Sequence, residues 1–154
     1  MTNTKPVAVI YVRGNKKEMQ EMFCTLCAVE RGYKIAFATD NLDDVKDCDV
    51  IMIDDMTATG GTLSAAAKLC RANGAKSVHA FVSHFPLTAK GEERLMSETQ
   101  LDELVVTDSI QLKEGFDVSK LPFKLTQLSV APIIAEAIKR IHCDMSVNDL
   151  FNHE

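Results

Sequence analysis

Continuous apolar runs rich in β-branched residues recur along the chain, and the first of them is Val7 to Val12. Short runs of this kind are typical of strands that are covered on both faces, as in parallel sheets. The same pattern predicts five further strands, at residues 34–38, 49–53, 77–83, 104–107 and 123–128. We therefore expect a largely buried sheet.

Segments with helical spacing separate several of these strands. Residues 16–31 place apolar side chains at near-helical intervals before Gly32, and residues 63–72 are rich in alanine and precede Asn73 and Gly74. Glycine and asparagine are typical of positions where helices end. Two helices are therefore predicted between the strands.

A third helix is predicted to run through Ile141, with Ser129 as its N-cap and Pro132 in its first turn, where the missing N–H costs little. Alternating strands and helices imply right-handed βαβ units. Because no linker, repeat or low-complexity segment interrupts the pattern, residues 1–154 are expected to form one α/β domain. Its predicted architecture has three layers, a mostly parallel central sheet with helices on both faces.

The composition narrows the function classes. Of the 154 residues, 46% are hydrophobic and 25% charged, and the formal net charge is −5. An acidic balance speaks against binding to nucleic acid or to an anionic membrane, since both draw on clustered positive charge. No apolar run approaches the roughly 20 residues of a membrane span, and no secretory signal is recognisable. Five cysteines without a loop-rich framework fit reduced thiols, so a cytoplasmic protein is expected.

One stretch, residues 50–62, combines a buried strand with polar residues and glycines. The strand runs into Asp54 and Asp55, and a loop with three threonines and two glycines then opens a helix. Ligands of open α/β sheets bind beyond the carboxyl ends of the strands. Glycines let the backbone approach a ligand, and amides at a helix start favour a phosphate. Because carboxylates can take ribose hydroxyls or a magnesium ion, the stretch predicts a sugar-phosphate site.

A glycine-rich turn after a strand can also be a plain connection, and paired acids at a strand end can simply be solvated. Here two acids, three threonines and two glycines follow one another directly after a buried strand. This order favours the binding site.

Residues 54–62 resemble the phosphoribosyl-diphosphate (PRPP) binding motif of the type I phosphoribosyltransferase fold. The segments AKSVHAFVSH at 75–84, LDELVVTDSI at 101–110 and AEAIKRI at 135–141 narrow this likeness. Together they resemble the C-terminal half of the ribose-phosphate pyrophosphokinase (PRPP synthetase) family. The likeness is close from Val45 onward and looser over residues 6–40.

The resemblance implies roles for the residues of this stretch. Asp54 and Asp55 would contact the ribose hydroxyls and a Mg²⁺ ion, and Thr57 and Ala58 would line the loop that follows. The 5-phosphate would be held by the end of the loop, namely Thr59, Gly60, Gly61 and Thr62. The implied ligand is ribose 5-phosphate or PRPP.

The chain also departs from the family pattern. Family members are about twice as long, and their N-terminal half supplies much of the ATP site. The cationic pair that meets the transferred diphosphate is expected after the second strand, where this chain reads ATDN at 38–41. Arg13 and Lys16 are the candidates for contacting a diphosphate instead, although a solvated helix start is the simpler interpretation. The family also commonly has an acid where Ala58 stands.

Several functions therefore stay open. The chain could belong to a ribose-phosphate diphosphokinase that transfers the diphosphate of Mg-ATP to ribose 5-phosphate, completed by a partner chain or an N-terminal half that binds ATP or ADP. It could instead be a non-catalytic module that binds ribose phosphate or nucleotide and regulates a synthetase. A base-transferring phosphoribosyltransferase is a third option, for which no segment offers a base-binding hood. A homo-oligomer or a complex with a synthetase is expected in either of the first two cases.

Two further sets of residues have alternative interpretations. Cys24 and Cys27 form a C-x-x-C pair, but helical periodicity around them favours buried thiols over a redox or zinc site.

His84 lies where a strand is predicted to end, at the expected ligand edge. A role in the site is therefore an alternative to a structural role for this histidine.

Overall fold

The computed structural model describes residues 7–11, 35–39, 45–97 and 99–150. The elements in these ranges are β1 (Val7–Tyr11), β2 (Ile35–Thr39), β3 (Asp49–Met56), α1 (Gly61–Ala72), β4 (Ser77–His84), α2 (Ala89–Ser97), β5 (Glu103–Thr107), β6 (Lys124–Leu128) and α3 (Ala131–His142). Short 3-10 helices cover Val118–Lys120 and Asn148–Leu150. The predicted helix at 16–31, the pair Cys24 and Cys27, and the candidate diphosphate contacts Arg13 and Lys16 lie outside the described residues.

The described strands form one sheet in which every neighbouring pair is parallel. Their order across the sheet is β2-β1-β3-β4-β5-β6, so β3 lies inside it, between β1 and β4. The register aligns Ile53 of β3 with Phe81 of β4, and Phe81 with Val105 of β5. The predicted α/β class with a parallel central sheet is confirmed.

Side chains are buried on both faces of the central strands. Val50 and Met52 of β3 belong to a core cluster that includes Leu63 of α1 and Leu95 of α2. The two helices also contact each other, so they lie together on this face. The alternate strand positions are buried as well, namely Ile51, Ile53, Phe81 and Val105. Burial on both faces is the reason that these strands read as continuous apolar runs.

β3 extends further than its apolar run predicts. It ends at Met56 instead of Ile53, so Asp54 and Asp55 belong to the strand. Aspartate is disfavoured in strands, which is why the sequence pattern places the strand end before the acids. In the structure the strand continues because β3 still pairs with β4, where Met56 aligns with His84.

Helix α2 is absent from the sequence prediction. Among its residues only Gly91 and Leu95 are buried, so the segment offers no apolar repeat. Thr88 precedes the helix, and its Oγ1 accepts a hydrogen bond from the Gly91 amide at 3.1 Å. A threonine in this position caps the helix start and satisfies an amide of the first turn.

The structure confirms one predicted helix end and corrects another. The C-cap of α1 is Asn73, and Gly74 has a φ of +88°, as the sequence predicts for this helix end. The N-cap of α3 is Val130, one residue after the predicted Ser129, whose Oγ still accepts a hydrogen bond from the Ala131 amide at 3.3 Å. The Asp108 carboxylate accepts a hydrogen bond from the Val130 amide at 2.8 Å. This long-range contact, which no local pattern reveals, fixes the entry into the helix.

The most exposed large apolar side chains of the described residues lie on α3. Ile138 and Ile141 are 62% and 65% exposed, and Ile133 and Ile134 are also exposed. Their spacing places them along one side of the helix. None of the described helices has the length and apolar character needed to cross a membrane.

The burial of α1 against the sheet can be tested with two leucines of the same helix. Leu63 is 1% exposed and Leu69 is 52% exposed. We expect Leu63→Ala to lower the free energy of unfolding by about 2–5 kcal/mol, because it leaves a cavity in the core. Leu69→Ala should change it by less than about 0.5 kcal/mol. Urea denaturation of both variants measures the difference, and equal losses would contradict this packing.

Candidate functional site

The acidic end of β3 places two carboxylates in different surroundings. Asp54 is 6% exposed, whereas Asp55 is exposed to solvent. Successive strand residues point to opposite sides of a sheet, which explains the difference. The Asp54 Oδ1 accepts a hydrogen bond from the Asp55 amide at 2.9 Å. Asp54 therefore contributes to the shape of the strand end, and Asp55 presents the accessible carboxylate.

The loop after β3 is tied to the neighbouring strand. Thr57 is buried, and its amide donates a hydrogen bond to the His84 carbonyl oxygen at 3.1 Å. Gly60 has a φ of +64° and stands immediately before α1. Its carbonyl accepts the first helical hydrogen bond, from the Ser64 amide at 2.8 Å. A residue with a Cβ is strained at this φ, so the turn into the helix needs a glycine.

The start of α1 has features that suit an anion. No side chain caps it, and no acidic residue lies in its first turn. The first amides of an α-helix have no acceptor within the helix, and the helix dipole adds partial positive charge there. Thr59 and Thr62, whose hydroxyls can donate hydrogen bonds, are exposed on either side of the two glycines. This end of α1 can therefore accommodate a phosphate group.

A cation from α2 lies beside the loop. The Arg94 Nη1 donates a hydrogen bond to the Thr59 carbonyl oxygen at 3.2 Å. The same atom would be only 2.8 Å from a Cβ built on Gly61, so the guanidinium is close to the start of α1. The sequence interpretation missed Arg94, because the 30-odd residues between it and the loop give no local signal and α2 itself was not predicted.

Polar side chains continue along the same edge of the sheet, at the carboxyl ends of β4 and β5. The His84 Nδ1 lies 2.8 Å from the Ser109 Oγ. The Thr107 hydroxyl donates a hydrogen bond to the Ser83 carbonyl oxygen at 2.6 Å. His84 is thus at the ligand edge, as the sequence predicts, and is held by a serine of the next strand's loop.

Asp108 follows β5 at this edge. Hydrogen bonds from the Ser129 side chain and the Val130 amide hold the pKa of Asp108 below its usual value. The carboxylate therefore stays ionised to lower pH than a free aspartate, and it binds the start of α3.

The predicted site residues form a segment with buried and accessible members. Asp54, Thr57 and Gly60 are buried, and they set the path of the backbone. Ala58 and Gly61 are partly exposed. The members that present exposed polar side chains are Asp55, Thr59 and Thr62.

The described residues include no group of three or more His, Cys, Asp or Glu side chains that could hold a metal ion. Asp55, the exposed carboxylate at the end of β3, nevertheless suits Mg²⁺, which is often bound by one or two carboxylates together with water and substrate oxygens. Asp54 is buried and accepts a hydrogen bond from the Asp55 amide. A magnesium ion at this site would therefore depend on oxygen atoms of the bound substrate.

The backbone of Gly60 can be tested against a second glycine with a similar conformation. Gly60 has a φ of +64° and a built Cβ would lie 3.1 Å from Leu95, whereas Gly115 has a φ of +77° and open space around it. Alanine costs about 1–2 kcal/mol at a left-handed position. We expect Gly115→Ala to lose this amount of unfolding free energy and Gly60→Ala to lose more, as measured by urea denaturation. Equal losses would show that the loop does not pack tightly on α2.

Comparison with known proteins connects this geometry to a family. A family described as the phosphoribosyl synthetase-associated domain matches residues 33–152. The ribose-phosphate pyrophosphokinase of Campylobacter jejuni is 47% identical over 110 residues, which cover 71% of this chain and 33% of that protein. The enzyme of the same name from Rhodopirellula baltica is 45% identical over 101 residues, which cover 66% of this chain and 30% of the relative.

A solved structure agrees with the sequence relatives. The crystal structure of phosphoribosylpyrophosphate synthetase from Mycobacterium smegmatis matches with a TM-score of 0.66 and 28% sequence identity, and the match covers 91% of this chain and 46% of that chain. The segments matched in the curated relatives are about a third of their length. The chain corresponds to one part of these longer proteins, and it belongs to the PRPP synthetase family.

Proposed function

We propose that the chain binds ribose 5-phosphate or PRPP through residues 54–62. The observation that carries this proposal is the transition from β3 to α1. An exposed carboxylate at the strand end is followed, within one loop, by a helix start without a side-chain cap or an acidic residue. A ribose phosphate has hydroxyls for the first feature and a phosphate for the second, and the family match supports the same ligand class.

The proposed roles follow the exposure of the side chains. Asp55 accepts hydrogen bonds from the ribose hydroxyls and contributes a carboxylate oxygen toward Mg²⁺. Asp54, which the sequence also assigns to this ion, is buried on the other side of the strand and fixes the strand end instead. Thr59 and Thr62 donate hydroxyl hydrogen bonds to the 5-phosphate, and the backbone of Gly60 and Gly61 approaches it closely. Thr57 and Ala58 line the loop between the two ligand groups.

The charges at the two ends of the loop support this orientation of the ligand. The carboxylates of Asp54 and Asp55 lie at the strand end, whereas the Arg94 guanidinium lies beside the start of α1. A phosphate is therefore attracted to the helix end of the loop and repelled from the strand end. The predicted contacts of Arg13 and Lys16 with a diphosphate stay a prediction.

Binding can be tested by calorimetry with ribose 5-phosphate and with PRPP, each with and without Mg²⁺. We expect binding of about micromolar affinity, strengthened by Mg²⁺ for PRPP. Asp55→Asn should weaken binding at least tenfold, because a hydrogen bond to a charged acceptor contributes about 1.5–3 kcal/mol. Thr62→Ala should weaken binding of both ligands in the same experiment, because it removes a hydroxyl that donates to the 5-phosphate.

The matched control is Asp47→Asn, which makes the same chemical change at an exposed aspartate just before β3, at the opposite end of the strand from Asp55. This substitution should leave the affinities for ribose 5-phosphate and for PRPP unchanged. No binding by the wild-type protein at millimolar ligand would overturn the proposal. Equal losses from Asp47→Asn and Asp55→Asn would show that net charge, and not the site, controls binding.

Diphosphate transfer is the second candidate function, favoured by the name of the curated relatives, ribose-phosphate pyrophosphokinase. The transfer depends on positioning and on charge neutralisation by Mg²⁺ and cations. We expect the chain alone to form no PRPP from Mg-ATP and ribose 5-phosphate, and to bind ATP or ADP only with a partner chain. A coupled assay for PRPP tests this, and turnover by the purified chain would instead make it an enzyme in its own right.

The expected partners are a second copy of this chain or a synthetase. The exposed isoleucines of α3 support an association, because contiguous apolar surface is typical of interaction sites. Among the described cysteines, Cys70 and Cys143 are free thiols, and burial raises the pKa of the Cys70 thiol. Free thiols support the proposed cytoplasmic location, where a reducing environment maintains them.

A further inference from the structure

The carbonyl oxygen of Ala58, in the middle of the proposed phosphate loop, accepts two hydrogen bonds from one residue. The Thr88 amide donates at 3.0 Å, and the Thr88 Oγ1 donates at 3.0 Å. Thr88 lies 30 residues further along the chain, between β4 and α2. The loop is thus joined at its centre to the segment that opens α2.

The same hydroxyl also participates in the start of α2. The Thr88 Oγ1 accepts a hydrogen bond from the Gly91 amide at 3.1 Å, and the Thr88 carbonyl accepts one from the Glu92 amide at 2.9 Å. A hydroxyl has one proton to donate and lone pairs to accept, so it can make both contacts at once. The contact to Ala58 and the cap of α2 therefore share a single atom.

The first turns of α2 pack directly against the loop backbone. A Cβ on Gly91 would overlap the Ala58 carbonyl oxygen and would lie 3.1 Å from the Thr59 Cα. Further along the helix, Leu95 contacts the position of Gly60, and Arg94 donates to the Thr59 carbonyl. One side of α2 thus follows the loop from Ala58 to Gly60, which leaves little freedom for the loop to move alone.

We propose that Thr88 is a positioning residue for the ribose-phosphate site, and that its hydroxyl couples the order of the loop to the folding of α2. The coupling concerns the ligand-free protein, so it can be measured without a ligand. Its consequence for affinity rests on the proposed function. A loop whose amides are already ordered loses less conformational freedom when the phosphate binds.

Three substitutions separate the two contacts of the hydroxyl. Thr88→Val keeps the shape of the side chain but removes both contacts. Thr88→Ser keeps the hydroxyl and should restore both. Thr88→Asp keeps an acceptor for the Gly91 amide, since aspartate is a good N-cap, but it has no proton to donate to the Ala58 carbonyl.

Amide hydrogen exchange of the ligand-free variants measures the coupling, because local opening controls the exchange rate. With Thr88→Val we expect exchange about fivefold or more faster than wild type in α2 and at the Thr57 and Ser64 amides, which donate to the His84 and Gly60 carbonyls at the two ends of the loop. Thr88→Asp should accelerate exchange only at the Thr57 and Ser64 amides and leave α2 as in the wild type. Thr88→Ser should match the wild type in the loop and in α2.

Calorimetry with ribose 5-phosphate completes the test. Thr88→Val should bind about fivefold more weakly than wild type, and Thr88→Ser should recover the affinity. If Thr88→Val or Thr88→Asp left the exchange of the Thr57 and Ser64 amides unchanged, the positioning role would be wrong. If the wild type did not bind ribose 5-phosphate, the proposed function would fail, while the exchange experiment would still decide the role of Thr88.

Discussion

The parallel arrangement of all six described strands is the constraint on which the rest of the structure depends. Parallel strands have their carboxyl ends at one edge of the sheet, and every connection must return to the opposite edge before the next strand begins. The ends of β3, β4 and β5 therefore lie side by side. Asp55, His84 and Ser109 come together at this edge although they are far apart in the sequence. A site of this kind follows from topology as much as from its residues.

The opposite edge of the sheet is organised differently. At the amino ends of the strands, the Ser77 hydroxyl donates to Asp49 at 2.6 Å and lies 3.0 Å from the His79 Nε2. Glu103 accepts a hydrogen bond from Thr126 at 2.7 Å and lies 3.2 Å from the Lys124 Nζ. Buried polar groups that are paired across neighbouring strands help to define the register. One edge is thus closed by its own side chains, whereas the carboxyl edge keeps polar groups accessible.

The loop between β3 and α1 depends on both its neighbours. The Thr57 amide is bound by β4 through the His84 carbonyl, and the Ala58 carbonyl is bound by Thr88. Gly60 then turns into α1 against Leu95 of α2. A segment that looks self-contained in the sequence is therefore supported by residues from the next strand and the next helix. This support orders the loop to which the proposed function assigns a ribose phosphate.

The sequence by itself determined the fold class, the six strands in their order along the chain, and the segment proposed as the ligand site, because buried parallel strands and glycine-rich turns leave strong local patterns. Tertiary structure alone decided three features. β3 continues through Asp54 and Asp55 because it pairs with β4, α2 is held in place because Thr88 binds the Ala58 carbonyl and Leu95 is buried, and Val130 is the N-cap of α3 because Asp108 binds its amide. Each of these depends on a contact between residues distant in the chain. Local patterns cannot reveal such contacts, since hydrogen bonding and burial are properties of the folded arrangement and not of the neighbouring residues.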